Sequence, residues 1–431
     1  MKTDILIIGA GITGLSAAYH IGKKRDFLLL EQDSEPGGLC KSIEQDGFTF
    51  DYSGHVAHVQ SEYVRALLKK LLAKNVSIVK RKAFAYLQDT MVPFPFQANL
   101  SYLKEDIVEE CVRALMKESK NKKKSFDNFK QWAAATYGEG ICKYFMFPYN
   151  EKLWQAKVEE LSTAWCSTYV PKTDLEDIIK GAYFKQKENF GYNTHFFYPK
   201  KGGIGALTKA LAQKTNNIIY NTQVKEIDLK NKKVITNNGE FEYNTIINTT
   251  PLKPFTSLCK GLPQEVYEKA DKLKHNVVYV LNLGVNREIK NISWIYFPEE
   301  KFKFYRVGVQ SSFSQEVAPP GAGALYVEIS AKPGAKKPNF KELQKEIIKN
   351  LVSCDIIKKE DKILTSLWLT INPAYACYNL ERETIVPCLT KTLAKHNVVS
   401  AGRYGSWEYS FMERNLLEGK VLGDEASAKQ P

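Results

Sequence analysis

The sequence predicts an α/β protein: a βαβ nucleotide-binding domain, a mainly helical insertion, and a separate antiparallel sheet that completes a substrate-binding region. Three observations predict it. The chain starts with an apolar run, Asp4 to Ile8, that enters Gly9-x-Gly11-x-x-Gly14, a helix-compatible segment, and a second apolar run, Phe27 to Leu30, ending in Glu31. Helical periods dominate from Leu103 to about residue 182. From His275 onward long apolar β patterns recur, apart from the first unit.

In the opening unit each glycine has its own task. Gly9 makes the tight turn, Gly11 lets backbone approach a pyrophosphate, and Gly14 lets the helix pack close to the strand, while the helix N-terminus supplies unpaired N–H donors. Glu31 lies twenty residues beyond Gly11, where a carboxylate accepts hydrogen bonds from an adenosine ribose. Gly37 and Gly38 offer a second place for backbone to approach a flat or anionic ligand, just before GFTFDYSGH.

Composition narrows the function. Of 431 residues 44% are hydrophobic, yet no apolar run approaches the ~18 residues of a membrane helix, so membrane insertion is not expected. The first strand is expected to begin almost at Met1, so no targeting peptide is expected. Eight cysteines (40, 111, 142, 166, 259, 354, 377 and 388) show no CxxC pair and no metal-ligand spacing, which points to reduced thiols, a cytoplasmic location and no metal. The net charge of +13 favours anionic partners. Its densest cluster, Lys120 with Lys122 to Lys124, reads as a solvated loop, and no nucleic-acid-binding motif accompanies it. A pyrophosphate-bearing substrate is the expected outlet for the charge.

Along the chain, residues 60–74 carry an amphipathic helix and residues 76–97 short strands. These end in Pro93-Phe-Pro-Phe-Gln97, expected to be an extended rim segment that presents aromatics and an amide. Helices follow at 103–117 and 126–137, with a break expected at Pro148 and further helix over 157–182, interrupted at Pro171. Residues 188–193 read as a polar flap. A meander over 218–248, with an Asn237-Asn-Gly239 hairpin turn, returns the chain to the nucleotide domain. Strands at 275–285, 294–297, 304–309, 324–329 and 363–370, with a helix at 340–352, build the antiparallel sheet. The last strand, from Asn397, reaches Gly402 and Arg403 and precedes a helix from about Phe411. The domain boundaries follow: 1–95, 197–260 and 396–431 form the discontinuous nucleotide domain, 98–190 the helical domain with its flap, and 265–395 the antiparallel substrate domain.

The glycine pattern, the ribose acid, Gly37-Gly38 and FDYSGH resemble the FAD-binding half of the amine-oxidase-like flavoproteins, with a GR2-type Rossmann-like domain. Further segments, FPFQ (94–97), FMFPYN (145–150) with Trp154, Asn189 and Asn193, WIYFP (294–298), Phe304-Tyr-Arg306, Tyr375 and Gly402-Arg-Tyr-Gly-Ser-Trp407 with Tyr409, resemble the UDP-galactopyranose mutase family, closest to its eukaryotic-type branch. That resemblance implies a redox-neutral isomerisation between pyranose and furanose forms of a UDP-sugar, with N5 of reduced FAD as nucleophile at the anomeric carbon. It implies FAD contacts at Gly9, Gly11, Gly14, Glu31, Gly37, Gly38, Gly402, Arg403 and the backbone of Val224. Arg306, Arg403, Tyr375 and Tyr409 would meet the diphosphate, and His55 would lie beside the flavin. Phe94, Phe96, Gln97, Asn150 and Trp154 would hold uracil and ribose, Asn189 and Asn193 would close as a flap, and Trp294 and Tyr296 would line the sugar site. NAD(P)H is a candidate reductant, and the oligomeric state is left open.

Two positions depart from the family pattern: Tyr169 stands where an arginine is expected at the substrate, and Glu413 where an asparagine is expected. The sequence therefore keeps two alternatives, an amine-oxidase- or protoporphyrinogen-oxidase-like oxidoreductase and a non-catalytic flavin- or nucleotide-binding relative.

Overall fold

The strand Lys2–Ile8 sits inside an eight-stranded sheet, parallel to Phe27–Leu30 on one side and to Gly239–Asn248 on the other. Its residues alternate between two cores: Ile5 and Ile7 pack with the helix Ile12–Ile21, Leu6 and Ile8 with Phe255, Val266 and Leu389. Burial on both faces is why Ile5 to Ile8 read as an unbroken apolar run. The computed structural model describes residues 1–118, 125–186 and 194–428. The strand Gly239–Asn248 turns from antiparallel pairing with Lys233–Thr236 to parallel pairing with Val398–Ser400. The C-terminal helix Met412–Ala428 lies against Ile12–Ile21 at close range, because a Cβ on Gly419 would fall 2.5 Å from the Ser16 Cβ.

A second, seven-stranded sheet runs Ile363–Ile371, Val277–Val285, Gly323–Ala331, Arg306–Val309, Trp294–Tyr296, Ala83–Leu87, Thr90–Pro93. Odd-numbered residues of Val277–Val285 pack under the helix Phe340–Ser353 through Leu343, Ile347 and Leu351. The strands within 83–93, assigned from sequence to the nucleotide segments, instead extend this sheet, and Ala83–Leu87 pairs parallel to Trp294–Tyr296. Short local patterns cannot reveal such a partner, because the pairing spans about 200 residues of chain.

The helical layer contains Glu105–Glu118 and Phe129–Ile141, which approach where Gly138 (φ +73°) and Gly140 face Leu115 and Cys111. Three expectations are corrected here. Pro148 does not break the chain: a π-turn, Cys142–Met146, leads into the helix Phe147–Trp154, and the proline occupies its first turn, where a missing N–H costs little. Residues 157–182 are mostly non-helical until Leu175–Tyr183, with only short turns at Val158–Glu160 and Cys166–Tyr169. Finally, the Pro93–Gln97 segment is no rim: Phe96 and Gln97 are fully buried, and Gly181 lets the helix Leu175–Tyr183 pack onto Ala98. Among the described residues no helix is long and apolar enough to cross a membrane.

Candidate functional site

One cavity of ≈ 1200 Å³ runs between the two sheets and the helical layer. It exceeds the ~300–1,000 Å³ usual for one small ligand, so a dinucleotide and a second molecule can share it. At one end lie Gly9, Gly11, Glu31, Gly37, Gly38 and Val224. Gly9 adopts φ +98° beneath Thr249, and a Cβ on Gly14 would lie 2.0 Å from the Gly9 carbonyl oxygen, so strand and helix meet at backbone contact there. A Cβ on Gly11 would meet nothing within 4 Å, and Gly11, as the N-cap of Ile12–Ile21, brings no side chain to satisfy the helix N–H groups. This is a cradle for an anion approached by backbone. The Gly37 N–H bonds the Ala10 carbonyl (2.8 Å) and fixes the second glycine turn beside it.

Glu31 is buried at the strand end and accepts the Ala10 N–H at 2.7 Å and the Asp33 N–H at 3.0 Å. Burial raises its pKa, and those two bonds oppose the rise. Gly402 takes φ +77°, and a Cβ there would lie 2.5 Å from the Thr13 hydroxyl. That contact sets the turn carrying Arg403 over the start of the first helix. Val224 lies at the outer edge of the same end, on a strand with a bulge beside it.

The other end is aromatic and cationic: Phe94, Tyr169, Trp294, Tyr296, Arg306, Tyr375, Arg403 and Tyr409 line it, with His55 between the two ends. Arg403 sits over the rings of Tyr375 (5.1 Å) and Tyr409 (4.9 Å) and donates to the Ala374 carbonyl (3.2 Å). Among the described residues its buried Nε has no hydrogen-bond partner and no carboxylate forms an ion pair with it. Arg306 is different: it binds Glu328 in bidentate fashion, with Nη2 donating to Oε1 at 2.7 Å. Glu328 is 0% exposed; burial pushes its carboxyl up, but the Arg306 guanidinium and its hydrogen bonds hold it below the ordinary value. His55 is pushed down to about 4 by burial and by the neighbouring Arg403, so its ring is neutral at neutral pH. The cavity thus offers one compensated and one uncompensated guanidinium.

Of the residues picked from sequence, Phe96, Gln97, Asn150 and Trp154 do not line the cavity. They form a layer behind it: Phe96 stacks on Phe145 (5.0 Å), Phe145 on Tyr149 (5.3 Å), and Tyr149 meets Tyr296 edge-on (5.2 Å). Trp154 donates to Asn150 (3.2 Å) and backs Tyr375 (5.7 Å). Asn189 and Asn193, the flap residues, and the Lys120 to Lys124 cluster lie outside the described residues. Glu413 is turned away from the cavity and accepts the N–H groups of Gln60 (2.8 Å) and Ser61 (2.6 Å) at the start of the helix Glu62–Leu72. Its charge is therefore no anion in the pocket. Asn415 lines the cavity instead and accepts the Arg403 N–H at 3.0 Å. Sequence reasoning missed Asn415 and Glu328; the signal for Glu328 was a single acid inside the apolar strand Gly323–Ala331.

The flavin containing amine oxidoreductase family profile matches residues 12–420. The chain belongs to that family. Membership of a flavin-containing family supports FAD as the cofactor, and among the described residues no group of three or more His, Cys, Asp or Glu side chains is placed to hold a metal ion. In this flavin-containing family, the chain is similar in structure to a reduced UDP-galactopyranose mutase (TM-score 0.92, 27% identity, covering 98% of this chain and 95% of that one). It shares its fold with a putative protoporphyrinogen oxidase from an Exiguobacterium species (TM-score 0.78, 14% identity, 99% of both chains). In sequence it is 24% identical over 294 residues to coproporphyrinogen III oxidase of Staphylococcus aureus, covering 59% of this chain and 62% of that protein. The chain thus matches under two thirds of that relative's length.

Proposed function

We propose that the protein is a flavin-dependent, redox-neutral mutase that interconverts pyranose and furanose forms of a UDP-sugar, galactose or a close relative. The observation that carries this reading is the likeness to the reduced UDP-galactopyranose mutase, at 27% identity over 98% of the chain. When bound and reduced, FAD supplies an electron pair to the anomeric carbon. The chain's own work is charge handling and alignment. Arg403, with an unpartnered Nε, and Arg306, held by Glu328, take the leaving diphosphate, and the Tyr375 and Tyr409 hydroxyls assist. Trp294 donates to the Tyr296 hydroxyl (2.9 Å), which fixes both rings against the sugar. Phe94, 4.8 Å from Tyr296, gives the uracil a stacking face. Neutral His55 sits beside the flavin without competing for the diphosphate. The reading extends to a cytoplasmic enzyme recharged by a reductant such as NAD(P)H.

The test is to incubate dithionite-reduced, flavin-loaded protein with UDP-galactofuranose. Pyranose product that requires reduced flavin is expected; no conversion of any UDP-sugar overturns the reading. A second reading, an oxidoreductase acting on a substrate carbon, is favoured by the coproporphyrinogen III oxidase relative. Net flavin reduction by a porphyrinogen or an amine would select it.

A further inference from the structure

Oε1 of Glu328 serves two structures at once. It accepts from Arg306 Nη2 (2.7 Å), from the Ser53 hydroxyl, and at 3.4 Å from the Gly54 N–H, while Oε2 takes the Arg306 Nε. Ser53 holds φ +87°, a region an L side chain rarely adopts, and the His55 N–H closes back onto the Ser53 carbonyl at 2.9 Å. Gly54 has no room for a Cβ, which would lie 2.1 Å from the Tyr326 hydroxyl, so the turn is pressed onto the second sheet. A strained turn persists only where its surroundings over-determine it. Here the determinant is a fully buried carboxylate that also carries the charge of Arg306. Glu328 takes the Nε and one Nη2 N–H of Arg306, so an anion that engages the remaining N–H groups shares the positive charge with Glu328 and loosens its hold on the guanidinium, and the donors left to Glu328 are those of the turn.

We propose that Glu328 is a positioning residue that fastens the Ser53–His55 turn to the Arg306 guanidinium, so that an anion engaging Arg306 resets His55 against the flavin. The inference rests on the mutase reading only in naming a diphosphate as that anion. Glu328 weakens binding, since it compensates the charge of Arg306, and in exchange registers the bound anion at the flavin.

The test uses flavin-loaded protein with two probes, UDP and inorganic pyrophosphate, measuring affinity by calorimetry and the flavin difference spectrum at saturation. In the native protein either probe perturbs the flavin bands. Glu328→Gln is expected to bind the probes about tenfold more tightly and to lose the perturbation. Ser53→Ala, the milder change, is expected to keep affinity within about twofold and also to lose it. Native-sized perturbation in both variants, or an affinity in Glu328→Gln no higher than native, overturns the proposal. So does a native protein that binds neither probe or binds without a flavin response. Should the native protein convert no UDP-sugar yet bind pyrophosphate, the mutase reading fails alone, and the pyrophosphate spectra decide the coupling.

Discussion

Tyr169 donates its hydroxyl hydrogen to the backbone carbonyl of Tyr409, and the two rings meet edge to face with centroids 4.4 Å apart. The hydroxyl is committed and Phe411 closes the other side at 4.9 Å, so this wall of the cavity is neutral and aromatic. Tyr169→Arg is expected to tighten UDP binding about tenfold at low salt, with the gain fading as salt rises. Titration of both proteins at two ionic strengths checks this; equal affinities would place Tyr169 beyond the reach of the diphosphate.

The two arginines should respond differently to removal. Arg403→Ala leaves no ion-pair partner stranded among the described residues, so it should weaken UDP binding by about 1.5–3 kcal/mol while the fold holds. Arg306→Ala leaves Glu328 buried and unpaired, which should destabilise the protein by about 3–5 kcal/mol. Denaturant unfolding separates the cases, and a stable Arg306→Ala protein would contradict the burial of that charge.

Gly14→Ala tests the cradle. The added methyl would lie 2.0 Å from the Gly9 carbonyl, a backbone atom that cannot rotate aside. A loss of about 1–3 kcal/mol is expected, together with loss of bound flavin on gel filtration. Retention of native flavin content would show that helix and strand separate easily.

His55 gives the protein an acid-sensitive term. Its folded-state pKa is about 4 against an ordinary 6.5, chiefly through burial. Between these values the unfolded chain takes up a proton that the folded protein refuses, so stability falls as the pH falls through this window. The loss is up to about 3 kcal/mol, and none arises above the window. His58, also lowered to about 4, acts in the same direction. Melting temperatures from pH 7 to pH 4 should therefore decline less steeply in His55→Gln than in the native protein.

Glu413→Ala should cost about 1 kcal/mol through the exposed start of the helix Glu62–Leu72, with UDP affinity unchanged. A change in affinity would return that position to the site.

Legibility followed the range of the interactions. Gly9, Gly11, Gly14 and Glu31 were readable because one βαβ unit brings them together within thirty residues, and the strand Val277–Val285 because burial on both faces leaves an apolar run interrupted by a single polar residue, Asn282. The Phe96, Gln97, Asn150 and Trp154 side chains were readable as aromatic and amide groups near a site, but not as its second layer, since nothing local says which way a ring points.

The glycine turns of the first unit, the helices of the insertion and the individual strands of the second sheet were legible in the sequence, because each is set by residues close together in the chain. The tertiary structure alone reveals that residues 83–93 join that sheet, that Glu413 holds the residues just before a helix, and that Glu328 pairs with Arg306 while, among the described residues, no carboxylate pairs with Arg403. Charge balance in a buried site depends on side chains that strand pairing brings together across the chain, and that pairing leaves no periodic trace in the sequence.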